Sequence, residues 1–250
     1  MELASRINEE ISKPFFKQSK SLLFDLYQEA FGSLNGLSIG CSSCKHDAYV
    51  MLKSWAKNNN GELLKTKLNL YTSYYKGNSS ERQKELDFCL AYNKASGFFD
   101  NIILIEDKRP TFKELFALTK QYPDHVNIVT NSDIFFPESI LQVKTIQYRE
   151  CYALSRWDYV TGGKIKLLEN KDSQDTWIFR GGSMCEMGDF KFGIPGCDNR
   201  IAYELKESGY KVTNPSKRIK TVHLHLSEVK SYNKKTTPIP KPYLMIPVCY

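Results

Sequence analysis

The sequence predicts an α/β protein, a mostly parallel sheet flanked by helices and preceded by a small helical appendage. Two observations carry this. Between Lys67 and Thr130, short apolar runs alternate with longer segments of helical periodicity, the pattern of strand–helix–strand units. Before that, apolar residues recur only at helical spacing. The expected division is a helical appendage over 1–61, the sheet domain over 62–230 and a C-terminal tail over 231–250.

The appendage begins with Ile7, Ile11 and Phe15, then Leu22, Leu23, Leu26, Tyr27 and Ala30, with a break expected at Pro14. Gly32 to Gly40 reads as a turn. A further helix over Lys45 to Lys57 carries Ala48, Met51, Leu52 and Trp55 on one face, and Asn58 to Gly61 reads as a linker. Leu68 to Tyr71 is a short strand. Ser80 to Ala95 is a helix capped by Ser79 or Ser80, with Leu86, Cys89, Leu90 and Asn93 along one face. Asn101 to Ile105 is an apolar strand. Thr111 to Gln121 is a helix whose Thr111 and Glu114 form a capping box. Val126 to Thr130 is the third strand. Ligands of such sheets bind outside the carboxyl ends of the strands. That directs attention to Tyr71-Thr72-Ser73, Glu106-Asp107 and Asn131-Ser132-Asp133.

Composition bounds the function without choosing it. At 250 residues, 41% hydrophobic and 25% charged, the chain has ordinary globular usage. No apolar run approaches the roughly 20 residues of a membrane span, and Met1 to Lys13 lacks a signal-peptide core. The expectation is a soluble, cytoplasmic protein with no membrane span. A net charge of +7 permits an anionic partner, but 35 basic residues are spread among 28 acidic ones. The densest basic stretches, Lys206–Lys220 and Lys230–Lys241, read first as solvated surface. Seven irregularly spaced cysteines imply reduced thiols rather than a disulfide framework. Cys41, Cys44 and His46 offer three of the four ligands of a structural zinc site, and a second pair is missing. The competing reading is a helix-start turn with buried thiols.

Three clusters carry chemistry. Asn131-Ser132-Asp133 follows an apolar strand, where a carboxylate suits a hard divalent cation shared with substrate phosphates. A turn aspartate capping the next element is the alternative. Asp198 follows the turn Gly193-Ile194-Pro195-Gly196 and opens a helix bearing Ile201, Ala202 and Leu205 that stops at Ser208-Gly209. It is either a cap or a general base. His223 and His225 lie two apart after Ile219 to Val222, and in a strand both would point to one face.

In order, these motifs resemble the GT-A glycosyltransferases, the nucleotide-diphospho-sugar transferase superfamily, in a family-two-like form. The resemblance runs through nearly the whole sheet domain. It matches Leu68 to Tyr74 to the nucleoside-contacting first strand, and Ile105-Glu106-Asp107 to the acidic end of the second. Asn131-Ser132-Asp133 stands for the aspartate-x-aspartate metal motif, and Gly196-Cys197-Asp198-Asn199-Arg200 for the Gly-Glu-Asp motif. Leu205 to Val212, with its Gly209-Tyr210-Lys211-Val212 ending, and Val222 to His225 complete the series. Two positions depart from the pattern: Asn131 stands where aspartate is usual, leaving one carboxylate, and Cys197 stands for glutamate.

The resemblance implies a GT-A (Rossmann-like) fold and a hexosyltransferase-like activity, moving a sugar from a UDP- or GDP-linked donor to an acceptor hydroxyl. The acceptor is open among glycans, proteins, lipids and modified DNA bases. Implied donor contacts are Tyr71, Thr72, Ser73, Arg82, Asp107, Asn131, Ser132, Asp133, Asp175 and Trp177, with Asp158 in the same wall. Arg82 also reads as a plain surface arginine, which is the favoured reading, and Trp177 as core. Mn²⁺ or Mg²⁺ would sit on Asp133, with His223 and His225, and Asp198 would be the base of an inverting reaction. A nucleotidyltransferase is disfavoured because no Gly-rich basic loop follows the first strand. A sugar- or nucleic-acid-binding protein with a weakened site is the reading from another class.

Overall fold

The computed structural model describes residues 3–13, 17–34, 37–38, 44–58, 66–160, 162–227 and 237–250. It divides into two compact units, residues 1–65 and 66–250. The boundary therefore falls four residues beyond the one expected from the linker signal.

Among its described residues the first unit holds three helices, α1 (Leu3–Ser12), α2 (Lys20–Phe31) and α3 (Cys44–Asn58). Ser19 caps α2 by accepting from the Leu22 amide, and Gly32 ends it in the left-handed conformation at φ 82°. Ile7, Leu23, Leu26, Tyr27, Ala48, Met51 and Leu52 close a core of their own. Pro14 and Cys41 lie outside the described residues, so the expected break and the C-x-x-C reading do too. Cys44 is buried in that core while His46 is exposed.

The second unit contains a six-stranded sheet in the order β2-β1-β3-β8-β5-β9. Its strands are β1 (Leu68–Tyr74), β2 (Asn101–Glu106), β3 (Val126–Thr130), β5 (Glu150–Leu154), β8 (Thr176–Arg180) and β9 (Lys211–Thr213). Among these β8 alone runs against its neighbours, antiparallel to both β3 and β5. The mostly parallel expectation thus meets a mixed sheet with one reversed strand. Helix α4 (Ser80–Ala95) links β1 to β2 with Ser79 as its cap, and α5 (Phe112–Leu118) links β2 to β3 with the Thr111–Glu114 capping box formed. Helix α6 (Cys197–Glu207) leads into β9.

Two consequences of this order position a site. The chain leaves β1 toward β2, then crosses back so that β3 pairs with β1 on its other side, which makes a topological switch point between β1 and β3. Because β8 is reversed, its amino end lies at the same sheet edge as the carboxyl ends of β1, β3 and β5. Ser73, Asn131, Arg156 and Asp175 are therefore brought to one edge.

A second sheet of four short strands, in the order β4-β10-β6-β7, adjoins that edge. Its members are β4 (Ile134–Phe135), β6 (Trp157–Val160), β7 (Lys164–Leu167) and β10 (Val222–His223). Strand β10 lies between β4 and β6, pairing His223 with Ile134 on one side and Asp158 on the other. The strand ends at His223, so His225 is in irregular structure rather than the strand expected of both histidines.

The C-terminal segment 237–250 is a strap rather than a tail. Ile239, Leu244, Ile246 and Cys249 donate backbone hydrogen bonds to Pro195, Asn199, Lys171 and Asn214. Tyr243 closes over Gly196, which takes φ 82° at the start of α6, and a Cβ there would collide with the Tyr243 hydroxyl. Only glycine meets both demands. A chain ending at residue 236 should lose roughly 2–4 kcal/mol in urea unfolding, from the exposed Ile246 side chain and the lost backbone bonds. An unchanged midpoint would show the strap to be loosely held.

Candidate functional site

The sheet edge opens into a cavity of about 400 Å³. Ser73, Tyr75, Arg82, Asn131, Ser132 and Asp133 line one part; Arg109, Arg156, Asp175, Asp198, His223 and His225 line the rest, among others. Six of the ten expected donor contacts, Ser73, Arg82, Asn131, Ser132, Asp133 and Asp175, are brought together here.

Four are not. Tyr71 is fully buried and its hydroxyl donates to Asn127 Oδ1 at 3.0 Å. Trp177 is fully buried against the Phe112–Phe192 stack, both rings edge-on to it, so the core reading holds for its side chain. Thr72 is buried within β1, away from the cavity lining. Asp107 sits exposed in a left-handed turn at φ 60°, a conformation that aspartate tolerates better than most residues, and it does not reach the cavity.

A chain of alternating charges runs through the cavity lining and the residues behind it. Asn131 Nδ2 donates to Asp175 Oδ1 at 2.6 Å, and Arg156 Nη1 reaches Asp175 Oδ2 at 3.4 Å. Arg156 Nε donates to Asp158 Oδ1 at 2.8 Å, on which His223 Nδ1 also sits at 2.9 Å. His223 Nε2 lies 3.3 Å from Asp133 Oδ2, which Arg82 Nη2 also engages. Arg82 Nη1 donates to Glu85 Oε2 at 2.9 Å, and the Ser227 amide and hydroxyl donate to Glu85. Arg82 is 6% exposed, so the surface reading of this residue is corrected: it is a buried ion-pair partner. Sequence reasoning misses Arg156, Arg109 and Glu85. The one signal it offers for them is the (i, i+3) spacing of Arg82 and Glu85 on one helix.

The protonation states follow from this pairing. Burial alone would raise the Asp133 carboxyl, but the charge and hydrogen bond of His223, then those of Arg82, outweigh it and hold it well below the carboxylate range. Burial alone would lower His223; Asp133, then the Asp158 hydrogen bond, outweigh it and push it up to about 9. Both its ring nitrogens face carboxylate oxygens, as an imidazolium requires. His225 is lowered, first by burial and then by the charges of Arg82 and His223.

Asp198 lines the same cavity. Gly196, not Asp198, holds the cap position of α6, and no side chain caps that helix. Asp198 instead accepts from the Cys197 thiol at 3.2 Å. Burial first, and then the charge of Asp175, push its carboxyl up to about 8. Asp175 is itself raised by burial, against the pull of Arg156 and His223. Two carboxyls crowded into one cavity resist joint ionisation.

Asp133, His223 and His225 each offer a ligand atom, and these lie within 4.8 Å of one another. One carboxylate and two imidazoles form a donor set that fits a divalent transition metal. To coordinate, His223 must give up its proton and Asp133 must share the oxygen that Arg82 holds.

Removing one partner from a buried ionic chain leaves its neighbours uncompensated. Asp133→Ala should therefore cost roughly 3–5 kcal/mol of folding stability, read by urea unfolding. A loss under about 1 kcal/mol would mean that Arg82 and His223 re-pair elsewhere. His223 gives a pH signature. Its folded value lies above its unfolded one, so its contribution is full below pH 6.5 and is lost as pH rises toward about 9. Thermal unfolding should show a fall in stability across that window, absent in His223→Gln.

Compared with known proteins, the chain matches no family model and no curated protein.

Proposed function

We propose that the chain is a nucleotide-sugar-dependent glycosyltransferase, hexosyltransferase-like and inverting. The observation that carries this reading is one cavity that holds two kinds of group. Arg82 and His223 are gathered on Asp133. Asp198 is a carboxyl raised toward neutrality near Asp175. A transfer needs both: stabilisation of a leaving diphosphate and a base for the incoming hydroxyl.

In this reading Arg82 and His223 face the negative charge that develops as the anomeric bond breaks. A divalent cation, if bound, would be held by Asp133, His223 and His225, with His223 giving up its proton, and would itself supply charge neutralisation for the diphosphate; two nitrogen donors favour Mn²⁺ over Mg²⁺. Asp198 takes the proton of the acceptor hydroxyl. Its raised value makes it a stronger base than an ordinary carboxylate, at the expense of holding a proton itself near pH 7. Asn131 and Arg156 hold Asp175, whose charge helps to set that value.

The donor is a UDP- or GDP-linked sugar, and the acceptor is a hydroxyl of a class still to be found. No helix among the described residues is long and apolar enough to cross a membrane. Cys89, Cys151, Cys185, Cys197 and Cys249 are free thiols.

The test is release of UDP or GDP from a panel of nucleotide sugars with Mn²⁺. Since Asp198 does not cap α6, Asp198→Asn should leave stability and donor binding near wild type and lower the rate by roughly 10²–10⁴-fold. The wild-type kcat/KM should rise with pH toward about 8, as Asp198 loses its proton. Near-normal turnover by Asp198→Asn removes it from the mechanism. Nucleic-acid binding without nucleotide release from any donor overturns the transferase reading.

A further inference from the structure

Three arginines line the cavity, and their pairing differs. Arg82 is held by Glu85 and Asp133, and Arg156 by Asp158 and Asp175. The side chain of Arg109 has neither an ion pair nor a hydrogen bond among the described residues.

Its backbone, by contrast, is fixed. Residues 110–112 run alongside 190–192: the Phe112 amide donates to Phe190 O at 3.0 Å, Phe192 donates to Pro110 O at 3.4 Å, and Thr111 bridges Lys191. Phe112 stacks on Phe192 with ring centroids 3.7 Å apart, and both pack against the buried Trp177. Pro110 is buried and removes one backbone freedom next to Arg109. This ladder sets the guanidinium beside Gly193, where a Cβ would stand 3.8 Å from Nη1. Gly193 opens the turn that leads into α6 and Asp198. Arg109 is thus a partly exposed cation on a rigid wall, facing a cavity of ligand size.

A guanidinium offers five donors in a planar fork that matches a phosphoryl or carboxylate group and remains charged at any working pH. In the other two arginines part of that capacity is engaged by the protein's own carboxylates. We propose that Arg109 receives a phosphoryl group of the substrate, as the cavity's anion clamp. The choice of a phosphoryl ligand rests on the transferase reading, whose donor brings a diphosphate; the presence of an uncompensated cation does not. The phosphate could belong to that donor or to a phosphorylated acceptor, and both present the same oxyanion chemistry.

The experiment uses the full chain, with calorimetric titration at low salt of inorganic pyrophosphate, UDP, GDP, glucose 6-phosphate and uridine. Arg109→Gln should keep the wild-type melting temperature, since its side chain has no partner to lose among the described residues. It should bind the phosphate probes at least ~10-fold more weakly, the loss expected for a charge-assisted contact, and leave uridine unchanged. Arg109→Lys should recover part of the affinity, as a point charge without the fork. A loss confined to pyrophosphate, UDP and GDP assigns the clamp to the donor; one confined to glucose 6-phosphate assigns it to the acceptor. Equal affinity of wild type and Arg109→Gln for every phosphate probe overturns the proposal, as does a wild type that binds none of them. The two readings fail separately. Arg109-dependent phosphate binding with no turnover of any donor sinks only the transferase, and donor turnover with an unchanged KM in Arg109→Gln sinks only the clamp.

Discussion

The ionic chain from Asp175 through Arg156, Asp158, His223, Asp133 and Arg82 to Glu85 is the constraint on which the second unit's site depends. It ties the edge of the large sheet, the small sheet and α4 together with side chains that are mostly buried. Burying this many charges is costly, and close pairing with hydrogen bonds offsets the cost only when every member is present. Each link here has at least two polar partners, which is why the arrangement can exist at all. A less connected version would be worse than an apolar core.

That connectivity explains the topology of the small sheet. Strand β10 is only two residues long, too short to be stable by its own backbone bonds. It is held because His223 bridges Asp158 in the neighbouring strand and Asp133 just before β4, while the Leu224 amide donates to Asp133 O at 3.0 Å. The side-chain charges and the backbone pairing specify the same register. A shift of one residue in β10 would turn His223 away from both carboxylates and leave Asp133 and Asp158 with less compensation.

What is legible in the sequence is what is local. The capping box at Thr111 and Glu114, the span of α4 from Ser80 to Ala95, and the strand over Val126 to Thr130 are fixed by neighbours within a few residues. The ionic chain joins residues 51, 65 and 90 positions apart, and no periodicity reports such pairs. The same limit accounts for Tyr71. Tyr71 and Ser73 share a face of β1 by the two-residue repeat, but depth along the strand separates them: Tyr71 lies in the core and Ser73 at the open edge. Asp107 misses the cavity for a different reason, since one residue with positive φ redirects the chain at the end of β2. The strap over 237–250 leaves no signal because its partners, Pro195, Asn199, Lys171 and Asn214, are distant in sequence and it follows no regular period.

The two positions that depart from the glycosyltransferase pattern acquire a physical meaning once the site is assembled. Asn131 stands where the pattern has a cation ligand. Its amide, however, donates to Asp175 at 2.6 Å, and an aspartate at that place would set two carboxylates against each other in a buried wall. Cys197 is 2% exposed and gives its thiol hydrogen to Asp198. A glutamate with the same backbone would add a third carboxylate beside Asp175 and Asp198, both of which are already raised by burial. With Asp133 and Asp158 committed to His223, the acidic capacity of the cavity is filled. Neutral donors at 131 and 197 keep Asp198 close to the boundary between its two protonation states, and a further carboxylate at either position would push it to hold its proton through the whole neutral range.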